Sequence, residues 1–322
     1  MSSPIETVST QRASRRHGRS DLERWIAEYR ASVGAAGETC VGLLQSLYDA
    51  RALDKQAIDR GLELLEILEP LAPDPVTISS ALVHIAKLDK AARSSLLAGL
   101  PASVRDQLDD LDKLKHYESG QSIDDTERSA EGLRRLLLAL VKDVRVVLID
   151  LAWQLVLLRR SEEESDEGRR LARETMLIHA PLANRLGIWQ LKWELEDLSF
   201  RQLEPAQYRK IANLVAEHRT EREAFIGRFI ERLKTALQEA GIQAEVKGRP
   251  KHIYSIWKKM QRKGLDLHQL FDVRAVRVLV DDLPSCYSAL GLVHTLWQPI
   301  PGEFDDYITT PKGNMYQSLH TA

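Results

Sequence analysis

GRPKHIYSIWKKMQRKG (Gly248–Gly264), FDVRAVRVLV (Phe271–Val280) and EFDDYITTPKGNMYQSLHT (Glu303–Thr321) are the three segments on which the fold and chemistry of this chain turn. The first has the pattern of an amphipathic helix. At about 100° per residue, Lys251, Ser255, Lys258 and Arg262 share an arc of about 60°, while Ile253, Ile256, Trp257 and Met260 gather opposite. One side buries and the other holds positive charge and a hydroxyl. A solvated basic stripe is the plain alternative. Gly264 stops the helix, and FDVRAVRVLV, alternating and β-branched, predicts a buried strand. Period two sets Asp272 and Arg274 on one face at its start. A carboxylate at a strand end near a lysine-rich helix suits Mg²⁺, which takes one or two carboxylates and fills its shell with phosphate oxygens and water. A turn residue or ion-pair partner is the competing reading of Asp272. A helix with Tyr287, Leu290, Val293 and Trp297 follows, then a loop from Pro299 to Gly302 and the acids Glu303, Asp305 and Asp306. In the last loop, Lys312 and Asn314 suit a phosphate and a base edge, and Tyr316 suits base stacking.

Together GRPKHIYSIWKKM, FDVRAVRV and PKGNMYQSLHT resemble the (p)ppGpp synthetase domain of the RelA/SpoT family, the GTP pyrophosphokinases of the stringent response. The likeness continues upstream through APLANRLGIWQLKWELEDLSF (Ala180–Phe200) and is looser over the first third of the chain. It implies transfer of the β,γ-diphosphate of ATP to the 3′-hydroxyl of GTP or GDP, with Mg²⁺ as cofactor. It also implies a nucleotidyltransferase-like mixed sheet behind an all-helical domain, an α plus α/β architecture. Carried over by motif, Arg249 and Lys251 are the ATP-side basic residues, catalytic together with the metal-binding Asp272. Ser255 and Lys259 line the same site and Arg277 shares the strand motif. Lys312, Asn314, Tyr316 and His320 match the guanine-nucleotide loop, in which Met315 stands where the family usually has glycine. Helical arithmetic centres Lys258 on the polar side and leaves Lys259 at its flank.

Diphosphoryl transfer calls for in-line positioning of hydroxyl and β-phosphate, and for cations on the nonbridging oxygens and the departing AMP. A base must also take the hydroxyl proton. The family draws a glutamate for this from a later strand with an E-x-Q-x-R-like motif, whereas the sequence ends at Ala322. The expectation is a C-terminally truncated, synthetase-derived chain, weakly active or inactive as it stands. The alternative class is a regulatory nucleotide-binding module, with room for a homodimer, that does no catalysis.

Upstream, the region is helical almost throughout from Asp21 to Phe200, with breaks at Pro70–Pro75, Gly99–Pro101 and Ser161–Gly168. Hydrolase-active relatives carry there a His, a His-Asp pair and a later Asp that suit a Mn²⁺-like ion. Aligned on the apolar framework, those positions fall on Arg60, His84, Ile85 and Trp153, so the resemblance implies a degenerate HD hydrolase-like scaffold without hydrolase activity. The EFDD motif at Glu303–Asp306 agrees, because synthetase-only members carry an acidic E-x-D-D there. The expected layout is a disordered tail over 1–20, a helical domain over 21–200, linking helices over 201–241 and a partial synthetase domain over 242–322. The linking helices carry two stripes, Tyr208, Ile211, Leu214 and Val215, then Phe225, Phe229, Ile230, Leu233 and Leu237, before a stop at Gly241. Trp189, Trp193 and Phe200 read as core.

Composition sets the outer bounds. With 322 residues, 43% of them hydrophobic and 29% charged, the chain has the make-up of a two-domain soluble protein. A net charge of −2 argues against broad nucleic-acid affinity, so phosphate binding must come from local clusters. Cys40 and Cys286 offer neither a disulfide framework nor a zinc pattern and fit a reducing cytoplasm. No run of about eighteen apolar residues occurs, so no membrane partner is expected. The resemblance implies ribosome contact only through C-terminal domains of the family, which are not expected within these 322 residues.

Overall fold

The computed structural model describes residues 18–120, 143–217, 219–249, 252–264, 275–311 and 317–322. They divide into two compact units, Gln11–Leu182 and one that includes Ala183–Ala322. The first is built from α1 (Arg19–Val33), α2 (Glu38–Asp49), α3 (Lys55–Leu68), α4 (Pro75–Ile85), α5 (Lys90–Ala98), α6 (Ala102–Gly120), α7 (Val144–Arg160) and α8 (Asp166–Glu174). A π-turn at Thr175–His179 leads to α9 (Ala180–Arg185). The second unit continues with α10 (Trp189–Leu203), α11 (Pro205–Glu217), α12 (Arg219–Glu239), β1 (Ala244–Arg249), α13 (Ile253–Lys263), β2 (Ala275–Val280) and α14 (Leu283–Leu296). Two short strands, β3 (Phe304–Asp306) and β4 (Leu319–Thr321), complete it.

Four helix starts in the first unit are written into the sequence as N-cap aspartates, whose carboxylates satisfy amides that the first turn leaves without partners. Asp54 accepts from Ala57 N at 2.7 Å, Asp74 from Thr77 N at 2.8 Å, Asp89 from Ala92 N at 2.8 Å and Asp143 from Arg145 N at 3.0 Å. The apolar spacing of α3 buries Ile58, Leu62, Leu65 and Leu68, and α7 buries Val146, Val147, Leu151, Leu155 and Leu158. Ser165 caps α8 through Gly168 N at 3.0 Å, so the charged run expected as a break from Ser161 to Gly168 is irregular only as far as that serine. At the π-turn, Gln154 Nε2 donates to Thr175 Oγ1 at 2.9 Å, and His179 Nε2 stands 3.4 Å from Asp150 Oδ2, all of them buried.

In the second unit, β1 and β2 pair antiparallel, with Val246 opposite Val278, Lys247 opposite Arg277 and Arg249 opposite Ala275. Period two gives this ladder two different faces. Val246, Val276 and Val278 join Leu233 and Leu237 of α12 and Ala289, Leu292 and Val293 of α14 in one core, while Arg277 is exposed on the other side. Gly248 lies close under α12, where an added Cβ would meet Ile226 Cγ2 at 3.2 Å. A second core joins α10, α11 and α13 through Phe200, Ile211 and Ile256, with Tyr208, Leu214, Val215, Trp257 and Met260 around them. The two expected apolar stripes on α11 and α12 are thus present, with one correction: Phe225 is 41% exposed, because it lies a turn before Phe229, where that core begins. Gly241 and Gly264 end their helices at φ 70° and φ 63°, the left-handed region that glycine enters without penalty. β3 and β4 form a separate antiparallel pair, with Asp305 opposite His320. Both cysteines are free, and no described helix is long and apolar enough to cross a membrane.

Candidate functional site

β1 ends at Arg249, and the basic segment that follows it in sequence leads through the N-cap His252 into α13. The apolar side of α13 follows the sequence pattern: Ile256 is fully buried, and Ile253, Trp257 and Met260 pack around it. Ser255 and Lys259, one turn apart, are half-buried, whereas Lys258 and Arg262 are exposed. The Lys258 ammonium lies 6.0 Å from the centre of the Tyr254 ring, within cation–π range. Arg277 lies on the open face of the ladder beside Lys247. His320, half-buried on β4, meets Tyr307 edge-on at 5.2 Å. Lys251, Asp272, Lys312, Asn314 and Tyr316, with Met315, lie outside the described residues, and Arg249 is described by its backbone pairing alone.

The acidic EFDD stretch has a visible structural task. Asp306 Oδ1 accepts the amides of Ile308 and Thr309, both at 2.9 Å, and its other oxygen receives the Tyr287 hydroxyl at 3.2 Å. The Thr309 amide foremost, with that of Ile308, holds its carboxyl below the usual range. Glu303 and Asp305 are exposed.

One residue escaped sequence reasoning. The first turn of α13 has no side-chain cap of its own, since its N-cap is His252. Asp197 of α10, 5% exposed, supplies the cap from far upstream: Oδ1 accepts Tyr254 N at 2.8 Å and Oδ2 accepts Ile253 N at 3.3 Å. His252 Nδ1 stands 3.4 Å from the same carboxylate, and its ring stacks on Trp193 at 4.8 Å, one turn before Asp197 on α10. The missing local cap before Ile253, together with an acid inside WELEDLSF, was the available signal.

In the helical unit, the positions aligned with a metal site are occupied by packing. Trp153 stands edge-on to His84 with ring centres 5.1 Å apart. Ile85, 6% exposed, fills the space beside Gly61, next to Arg60, where an added Cβ would meet Ile85 Cδ1 at 2.2 Å. Among the described residues, no three His, Cys, Asp or Glu side chains are placed to hold a metal.

Residues 42–189 match the HD domain, and residues 248–322 match the region found in RelA / SpoT proteins. A helical HD domain followed by a RelA/SpoT region with small sheets defines the class, and the chain belongs to the RelA/SpoT family. It is 42% identical, over 94% of its length, to the GTP pyrophosphokinase of Escherichia coli, and spans 42% of that protein. It is 41% identical, over 81% of its length, to the GTP pyrophosphokinase of Myxococcus xanthus, spanning 35% of it. Over 61% of its length it is 50% identical to a Synechocystis protein named "Probable guanosine-3′,5′-bis(diphosphate) 3′-pyrophosphohydrolase", and spans 26% of that one. The chain therefore spans about two fifths or less of the length of these relatives.

Proposed function

We propose that this chain is the part of a (p)ppGpp synthetase that binds ATP and GTP or GDP and moves the ATP diphosphate to the guanosine 3′-hydroxyl, acting in the cytoplasm. The register of the β1–β2 ladder carries this reading. Arg249 ends β1 opposite Ala275, which begins β2, so the segments bearing Lys251 and Asp272 leave the ladder at the same end. The donor set fits Mg²⁺: one hard carboxylate, Asp272, among arginines and lysines that share the phosphate charge. When bound, the ion would polarise phosphate oxygens at that carboxylate. Arg249 and Lys251 would hold the triphosphate, and Ser255 and Lys259 would line its side of α13. Lys312, Asn314, Tyr316 and His320 would take the guanine nucleotide, with Tyr316 stacking on the base, and Arg277 would add charge on the open ladder face. The expected outcome is Mg²⁺-dependent formation of labelled (p)ppGpp from labelled ATP and GDP, falling at least about a hundredfold in Asp272→Asn. An Asp272→Asn protein with undiminished product formation would remove the metal role.

A second reading, hydrolysis of (p)ppGpp in the HD domain, is favoured by the name of the Synechocystis relative. The packing of Trp153 on His84 and of Ile85 on Gly61 supports the opposite, a domain without hydrolase activity. The deciding measurement is pyrophosphate release from ppGpp with Mn²⁺. We expect none above background.

A further inference from the structure

The N-terminus of a helix next to a basic segment is ordinarily the place where a phosphate would dock on free amides. In α13 that place is already taken. The amides of its first two residues, Ile253 and Tyr254, both end on the Asp197 carboxylate, and His252 is held against the same acid and against Trp193. Any phosphate bound by this segment therefore cannot draw on the Ile253 and Tyr254 amides, and its side chains carry more of the task. The segment between β1 and α13 has fixed points on both sides: the Arg249 backbone is paired with Ala275, and His252 is clamped by α10. A carboxylate receiving two amides is a charge-assisted, directional anchor, stronger than a neutral cap. α10 is itself held to α13 one turn further on, where Phe200 meets Tyr254 at 5.5 Å and Trp257 at 4.9 Å.

We infer that Asp197 is a positioning residue for the ATP-side basic segment: by capping α13 from α10 it sets where Arg249 and Lys251 stand relative to the phosphates. This rests on the reading of that segment as the ATP site. Asp197 touches no reacting atom in this scheme. Its effect passes through the start of α13 and should fall on ATP and leave the guanine nucleotide unaffected.

The test is steady-state kinetics on the whole protein with Asp197→Asn, Asp197→Glu and, as a control, Leu195→Ala. Leu195 is fully buried on the same helix, and its aliphatic side chain can make no bond to those amides. Misplacing a binding group by about an ångström costs up to about a hundredfold. In Asp197→Asn, kcat/KM for ATP is therefore expected to fall about tenfold to a hundredfold, with the KM for GDP unchanged. Asp197→Glu, which keeps the charge, should recover part of the loss. Leu195→Ala should lower the melting temperature without moving the KM for ATP. Hydrogen exchange supplies a readout that needs no nucleotide: the Ile253 and Tyr254 amides should be protected in the parent and exchange faster in Asp197→Asn. If Asp197→Asn does not fold, the same ATP-against-GDP split is read in Asp197→Glu. A parent protein that neither binds nor converts ATP overturns the functional reading and this inference with it. A parent that uses ATP normally while the Asp197 variants match it, or lose ATP and GDP affinity equally, overturns the positioning role alone.

Discussion

Gly61 and Ile85 meet where α3 lies against α4, and the contact leaves no room for a side chain on the glycine. Alanine in a helix interior normally gains about 0.5–1 kcal/mol over glycine. Here its Cβ would collide with Ile85 Cδ1 inside a close-packed core, at a cost of about 1–3 kcal/mol. Chemical denaturation should therefore show Gly61→Ala destabilised by about 1 kcal/mol, and Ile85→Val, which removes the offending methyl, should turn that substitution neutral or stabilising. A second residue-level case is Arg145, which bonds Asp143 through Nε and Nη2 and also reaches Asp74, so that it ties the caps of α7 and α4 together. Gln107 Nε2 adds a bond to Asp143 at 2.8 Å. The Arg145 guanidinium foremost, then the Gln107 and Arg145 N–H groups, draws the Asp143 carboxyl down to about 2. Unfolded aspartate titrates near 3.9, so this contribution is complete above about pH 4 and is lost as the pH falls toward 2. Arg145→Ala should flatten the acid limb of a stability-versus-pH series between those values and cost about 1 kcal/mol near neutrality. The caps were legible because an N-cap aspartate acts on the next turn. Arg145 bridging α4 and α7, like Asp197 capping α13, was not, because each joins residues far apart in sequence.

Among elements, α13 shows how far periodicity reaches. Its apolar side, its glycine stop and its basic side all followed from spacing at helical period, since burial on a helix repeats with the turn. What periodicity left open is the partner. The partners are α10 and α11, and the Trp193 and Phe200 rings of α10, which the sequence marks as core, meet α13 and its N-cap directly. Phe200 contacts Tyr208, Tyr254 and Trp257, so it joins three helices. Phe200→Ala should lower the stability of this unit by about 3–5 kcal/mol in denaturant titrations, and should speed amide exchange along α13 more than along α12. Burial comparable to the parent's after that substitution would mean the aromatic cluster closes over the gap. Asp306 teaches a related lesson: the acidic motif it belongs to entered as a family marker, and its carboxylate holds the turn that follows β3 and the Tyr287 hydroxyl.

For the molecule as a whole, the helical first part and one later strand were readable from spacing, while the α plus α/β organisation came from the motif resemblance, and it agrees with an HD domain followed by a RelA/SpoT region. Of the expected nucleotide contacts, Lys251, Asp272, Lys312, Asn314 and Tyr316 lie outside the described residues, and for all of them the motif resemblance carried the reading. Both activities can be weighed in one experiment: purified protein should form (p)ppGpp from ATP and GDP with Mg²⁺, and should leave added ppGpp intact with Mn²⁺. The edge-on tryptophan and the isoleucine wedged at Gly61 also bear on how this region can change over generations. Replacing Ile85 alone by aspartate would strand a carboxylate in a pocket 6% open to water, at a cost of several kcal/mol, before any ion was there to reward it. Aspartate at Trp153 alone would strip His84 of its aromatic neighbour for the same absent return. Stability alone therefore opposes either aspartate taken singly, so two substitutions would have to arrive together before a metal could offset their cost.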